Sequence, residues 1–88
     1  MAAELELIVR ATAFAAEKHR HQRRKDVQAS PYINHPIALA QVLLLEAGIR
    51  DPIVLAAALL HDTIEDTGTT ADELREQFGE EIAAIVQE

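Results

Sequence analysis

Between Asp51-Pro52 and His61-Asp62 the chain runs through an unbroken apolar stretch, Ile53 to Leu60. Asp is a strong N-cap and Pro suits the first helical position, so a helix starts here. A helix that is apolar nearly all round has no face for solvent and must be enclosed by other elements. Eight residues fall far short of the ~20 needed to cross a bilayer, so the stretch is a core helix, predicted from about Pro52 to Ile64 and ending before Gly68. The other elements must pack around it.

The 88 residues make one small domain at most. Aromatic residues are limited to Phe14, Tyr32 and Phe78, with no Trp, which leaves an aliphatic core suited to helix packing. From about Glu4 to Arg20, apolar residues at Leu5, Ile8, Val9, Thr12 and Ala16 trace a helical stripe, widened by Leu7, Ala11, Phe14 and Ala15. Asp26 to Asn34 lacks periodicity, contains Ser30-Pro31, and reads as a loop. Pro36 suits the first turn of a second helix that runs through Leu44 and ends at Gly48. Thr70-Ala-Asp-Glu73 matches a capping box and starts a short helix broken at Gly79. Glu80 to Glu88 begins another, with Ile82, Ile85 and Val86 on one face awaiting a partner. No run alternates with period two. The expected fold is an all-α bundle of about five helices.

With no cysteine, disulfides and thiolate metal sites are excluded. The acidic start lacks the plan of a signal peptide, and a soluble cytoplasmic protein with no membrane association is expected. A net charge of −7 argues against nucleic acid as a general partner, since duplex affinity comes largely from neutralised phosphates. The charge is uneven: Lys18, Arg20, Arg23, Arg24 and Lys25 form one local basic patch, while most acids lie from Asp62 onward.

His61-Asp62 at the end of the apolar helix is the most informative local feature. An ionised Asp is rarely buried unless paired or bound to a cation. His35, at the start of another helix, can supply a third ligand across the bundle, and a His/His/Asp set suits Mn²⁺, Fe²⁺, Co²⁺ or Zn²⁺ with positions left for water and substrate. Taken singly, each of these residues also serves as a helix cap or a satisfied polar group. Glu65 and Asp66 follow His61 and Asp62 at four-residue spacing, beside the candidate ligands if the helix continues. Carboxylates so close repel one another, which a divalent cation relieves, and a carboxylate beside an activated water can orient or deprotonate it. The same cluster also reads as a solvated acidic turn. Likewise the basic patch suits an anionic substrate through bidentate Arg contacts, or is simply a solvated helix end favoured by the macrodipole.

Taken together, Arg23-Arg24-Lys25, Pro31-Tyr-Ile-Asn-His-Pro36, Ala58-Leu-Leu-His-Asp-Thr-Ile-Glu-Asp-Thr67 and Phe78-Gly79 resemble the hydrolase domain of RelA/SpoT-type proteins. They are most similar to the small stand-alone hydrolases of that family, the metazoan SpoT homologues. The resemblance covers the chain from about Leu5 and implies an all-helical HD fold that binds Mn²⁺ and removes the 3′-pyrophosphate of ppGpp and pppGpp. It implies metal ligands at His35, His61 and Asp62, and a water-positioning acidic pair at Glu65 and Asp66. It also implies nucleotide contacts from Arg24 and Lys25. Tyr32 and Asn34 lie in the same motif and are expected to shape the loop. The family completes its metal site with an Asp on a later helix, so residues 1–88 read as the N-terminal part of a single HD phosphohydrolase domain. Either a missing C-terminal segment or a partner such as a second copy completes the site, or the chain is a natural short form whose site stays incomplete. In either case the 88 residues alone are expected to be weak or inactive.

Two other readings accompany this one. An HD phosphohydrolase can take another nucleotide, such as NADPH or a deoxynucleotide. A truncated HD fold can also act without catalysis, binding nucleotide or partners through the apolar face of Ile82, Ile85 and Val86.

Overall fold

A computed structural model describes residues 2–23 and 28–87, the side chain of residue 2 excepted. Among them six helices follow one another: α1 (Ala2–Lys18), α2 (Asn34–Leu45), α3 (Pro52–Leu60), α4 (Thr63–Thr67), α5 (Ala71–Phe78) and α6 (Glu80–Gln87). No strand forms among the described residues. An isolated antiparallel bridge joins Arg23 to Pro31.

The apolar helix α3 takes the central place its composition requires. Ala56 to Leu60 are buried, and α1, α2 and α6 all pack on it. The Asp51 carboxylate accepts the Ile53 N–H at 2.9 Å with Pro52 opening the helix, as the local signal predicts. The helix does not run to Ile64, however. It stops at Leu60, and Asp62 adopts φ −97°, ψ 0°, a sparsely populated backbone region common in turns and active sites. A new short helix, α4, starts at Thr63, whose hydroxyl donates to the Leu60 carbonyl at 2.7 Å and so satisfies an acceptor at the break. The expected third helix is therefore divided in two at His61-Asp62, which accounts for six helices where about five were expected.

The core face of α1 also differs from its expected stripe. Ala11 and Ala15 are fully buried, with Leu7, Ile8 and Phe14 packed against the same cluster, whereas Leu5 and Val9 are exposed. The small alanines let α1 approach α3 closely, and a face lined by Leu5 and Val9 would hold the two helices further apart. On α6, Ile82 is buried and Val86 packs on the core, so only Ile85 of the expected open face remains exposed. An apolar face awaiting a partner there is thus largely accounted for by α3 and α5, both of which contact α6.

Local terminators do what the sequence indicates. Gly48 takes φ 70°, a left-handed conformation that only glycine adopts readily, and the reversal lets the Ile49 N–H reach the Leu43 carbonyl at 2.9 Å. Gly68 caps α4 at φ 77°. The Thr70 hydroxyl accepts the Glu73 N–H at 3.0 Å. The reciprocal half of the capping box does not form, because Glu73 directs its carboxylate to Lys18 of α1 at 2.9 Å. Thr70→Ala is expected to cost about 1 kcal/mol, a drop of about 4–8 °C in melting temperature for a domain of this size. Thermal unfolding followed by far-UV circular dichroism measures it.

Candidate metal centre

Three structural accidents of the fold bring His35, His61 and Asp62 together. The break after Leu60 turns His61 and Asp62 out of the core helix at one corner of the bundle. The segment after the loop doubles back on the end of α1, with the Tyr32 N–H donating to the Gln22 carbonyl at 2.9 Å and Arg23 bridging Pro31. A tight turn then starts α2, with Asn34 N–H on the Pro31 carbonyl at 3.1 Å and His35 N–H on the Tyr32 carbonyl at 2.9 Å. His35 thereby sits in the first turn of α2 facing the break. Pro36, buried beside it, needs no N–H partner there.

One ligand atom from each of the three residues lies within 4.8 Å of the others. His61 Nε2 is 3.1 Å from Asp62 Oδ1, and His35 Nε2 is 3.8 Å from Asp62 Oδ2. Donors sharing one cation at ligand distances of about 2.0–2.2 Å stand roughly 3–3.5 Å apart, so small side-chain adjustments suffice. The tautomer of His61 also fits. Its Nδ1 lies 3.1 Å from the Ala58 carbonyl, which can only accept, so Nδ1 donates there and Nε2 is the nitrogen that faces the cluster. Two lone-pair donors at 3.1 Å repel unless a proton or a cation lies between them. Asp62 is only 17% exposed on its side chain, whereas His35 and His61 are more than one-third exposed. The charged member is thus the sheltered one, and the site opens outward. This donor set can hold a divalent metal ion.

The two acids beyond the break lie on different sides. Glu65 lines a cleft of about 400 Å³ together with His61, Asp62 and residues Ile85, Val86 and Gln87 of α6. Asp66 keeps a helical bond from its N–H to the Asp62 carbonyl at 3.0 Å and lines a second cleft of about 560 Å³ with Lys18, Arg20 and His21. Both acids are exposed. Of the basic patch, Lys18 is paired with Glu73 and Arg20 with Glu17, and Arg23 is exposed at the mouth of the loop. Arg24 and Lys25 lie outside the described residues. Asn34 opens α2 with its side chain exposed.

Tyr32 reaches the cluster itself. Its hydroxyl donates to Asp62 Oδ2 at 2.6 Å. Burial pushes its pKa well above the ordinary phenol value, and the neighbouring Asp62 and then Asp66 carboxylates add to the rise, so the O–H stays available as a donor. His19 is a further residue the sequence reading missed. It is 2% exposed and stacks on the Tyr32 ring at 4.7 Å. The signal was present: His19 follows Ala11 and Ala15 at four-residue spacing, on the buried face of α1.

A small helical bundle presenting a His/His/Asp cluster at a helix break is the architecture of a metal-dependent hydrolase fold. Residues 11–88 match the HD domain family, and the chain belongs to it. It is 54% identical over its whole length to the human guanosine-3′,5′-bis(diphosphate) 3′-pyrophosphohydrolase MESH1, covering 49% of that protein. It is 50% identical over 82 residues to the guanosine-3′,5′-bis(diphosphate) 3′-pyrophosphohydrolase of Aquifex aeolicus, covering 93% of this chain and 11% of that one. The solved structure of a metazoan orthologue of SpoT, described as hydrolysing ppGpp, superposes with a TM-score of 0.90 at 43% identity, over 92% of this chain and 46% of that one. The chain therefore spans about half the length, or less, of these relatives. No helix among the described residues is long and apolar enough to cross a membrane.

Proposed function

We propose that this chain forms the metal-binding part of an HD phosphohydrolase that removes the 3′-pyrophosphate of ppGpp and pppGpp with Mn²⁺. The observation that carries the reading is the convergence of His35, His61 and Asp62 within 4.8 Å, in a chain 54% identical to a relative named for that reaction. A divalent cation bound there would neutralise phosphate charge and lower the pKa of an attacking water.

The chain's own groups take the remaining parts. Glu65, in the cleft shared with His61 and Asp62, orients the water and accepts its proton on a carboxylate oxygen. The water oxygen bonds to the phosphorus next to the 3′ oxygen as the bond from that phosphorus to the 3′ oxygen breaks. The 3′ oxygen leaves with the bonding pair and takes a proton from solvent, giving pyrophosphate and a free 3′-hydroxyl. Asp66, near the Tyr32 hydroxyl and the basic end of α1, supports the water from the other side. Arg24 and Lys25 hold the nucleotide, Arg through paired bonds and Lys as a point charge. The domain assignment follows the same reading: residues 1–88 are the N-terminal part of one HD domain, and a later acid completes the ligand set.

The test is pyrophosphate release from ppGpp with Mn²⁺, using this chain alone and extended to the length of its relatives. The extended protein is expected to be active, with Glu65→Gln reducing kcat by about 10²–10⁴-fold, the range typical of a lost general base. A Glu65→Gln enzyme as fast as its parent would refute the assigned base. Preference for NADPH or a deoxynucleotide would overturn the substrate.

A further inference from the structure

We propose that Tyr32 is a positioning residue for the metal centre, with its hydroxyl holding the Asp62 carboxylate in its binding orientation and His19 holding the Tyr32 ring in place. The inference rests on the metal reading of His35, His61 and Asp62 and deepens it.

The geometry is that of a layer behind the ligands. An aspartate side chain can turn about two torsions, and a ligand carboxylate has to present an oxygen at one place. At 2.6 Å the Tyr32 O–H···Oδ2 bond is short enough to fix that rotation. It occupies Oδ2 and leaves Oδ1 beside His61 Nε2. The same tyrosine touches a second ligand, with its ring meeting the His35 ring edge-on at 5.8 Å. One short turn thus carries both a candidate ligand and the group that orients another. Outer hydrogen bonds of this kind orient ligands and tune their basicity.

His19 supplies the backing. Its ring lies nearly flat on Tyr32, with 4.7 Å between centroids and 29° between planes, which blocks the phenol from swinging away from Asp62. The His19 ring is itself fixed by Nδ1, 2.7 Å from the Gln22 side-chain oxygen. Gln22 in turn receives the Tyr32 N–H on its backbone carbonyl. Gln22 therefore ties the backing ring and the positioning residue to the same turn. Among the described residues His19 Nε2 is buried with no hydrogen-bond partner, so the residue serves here as a planar surface anchored at one nitrogen.

The experiment is Mn²⁺ titration of the chain extended to the length of its relatives, with free ion followed by electron paramagnetic resonance and the metal-free melting temperature by circular dichroism. Tyr32→Phe keeps the ring, its stack on His19 and its edge on His35, and removes one oxygen. It is expected to weaken Mn²⁺ binding by about 10–100-fold while the metal-free melting temperature stays within a few degrees of the parent. His19→Phe keeps a flat ring but loses the Nδ1 contact to Gln22, and is expected to bind more weakly than the parent. His19→Leu fills the space without a flat face and is expected to bind more weakly than His19→Phe. If the parent binds Mn²⁺ and Tyr32→Phe binds it equally well, the positioning role is overturned while the metal site stands. If the parent binds no Mn²⁺, the metal reading itself fails and the proposal with it. Equal binding by His19→Phe and His19→Leu would overturn the part given to His19.

Discussion

A chain carrying Asp62→Ala is expected to lose its response to divalent metal. Of the three donors brought together at the helix break, Asp62 alone carries a formal negative charge, and it is the most sheltered. Without it a cation faces two neutral imidazoles, and the Tyr32 hydroxyl loses the acceptor it reaches at 2.6 Å. The loss of affinity should exceed the ~100-fold upper range for an outer partner, because a primary ligand and its charge both go. The readout is linkage. Metal at a hundred times its dissociation constant stabilises a folded chain by about 2.7 kcal/mol, roughly 10–20 °C in a domain of this size. The parent should show that shift with Mn²⁺ and Asp62→Ala should not. Asp62→Asn separates charge from shape, since it keeps the side-chain volume and an oxygen for Tyr32. It should fail with metal in the same way. A full Mn²⁺-induced shift in Asp62→Ala would place the ion elsewhere.

The features of the fold that were legible beforehand are the ones encoded locally. Asp51-Pro52 and Thr70 cap their helices through bonds to residues two and three positions on, so a short stretch of sequence contains the whole cause. The enclosed place of α3 follows from its composition alone. What was not legible depends on choices between near-equal alternatives or on distant partners. Helix α1 has two adjoining apolar stripes, and only the close approach of α3 selects the alanine face over Leu5 and Val9. The break at His61-Asp62 has no Gly or Pro to announce it, since a helix can pass through either residue. The candidate ligands were visible as residue types, but their meeting depends on the loop folding back so that Tyr32 reaches Gln22. His19 and Tyr32 were missed as a supporting pair for the same reason. Their contact joins the end of α1 to the start of α2, and neither residue signals it alone.

The largest effect on stability is expected at Leu60. Its side chain is fully buried and belongs to one cluster with Ala11, Ala56, Leu74, Ile82 and Ala83, so it lies in the core that α1, α3, α5 and α6 share. Truncating such a leucine to alanine removes transfer free energy and leaves a cavity, together about 2–5 kcal/mol. An 88-residue chain has a total stability of only about 4–13 kcal/mol at the usual 0.05–0.15 kcal/mol per residue. Leu60→Ala therefore removes a large fraction of it, and the melting temperature should fall by about 8–40 °C. Leu5→Ala is the control. At 64% exposed, Leu5 should change stability by no more than about 0.5 kcal/mol, although both residues belong to apolar stripes in the sequence. Leu60→Met, which conserves volume, should cost less than about 1.5 kcal/mol. Because Leu60 immediately precedes His61, Mn²⁺ bound at the break should recover part of the loss, since binding to the folded form alone pulls the equilibrium towards it. A Leu60→Ala chain that melts within a few degrees of the parent would mean that α3 is not the enclosed helix on which the site is built.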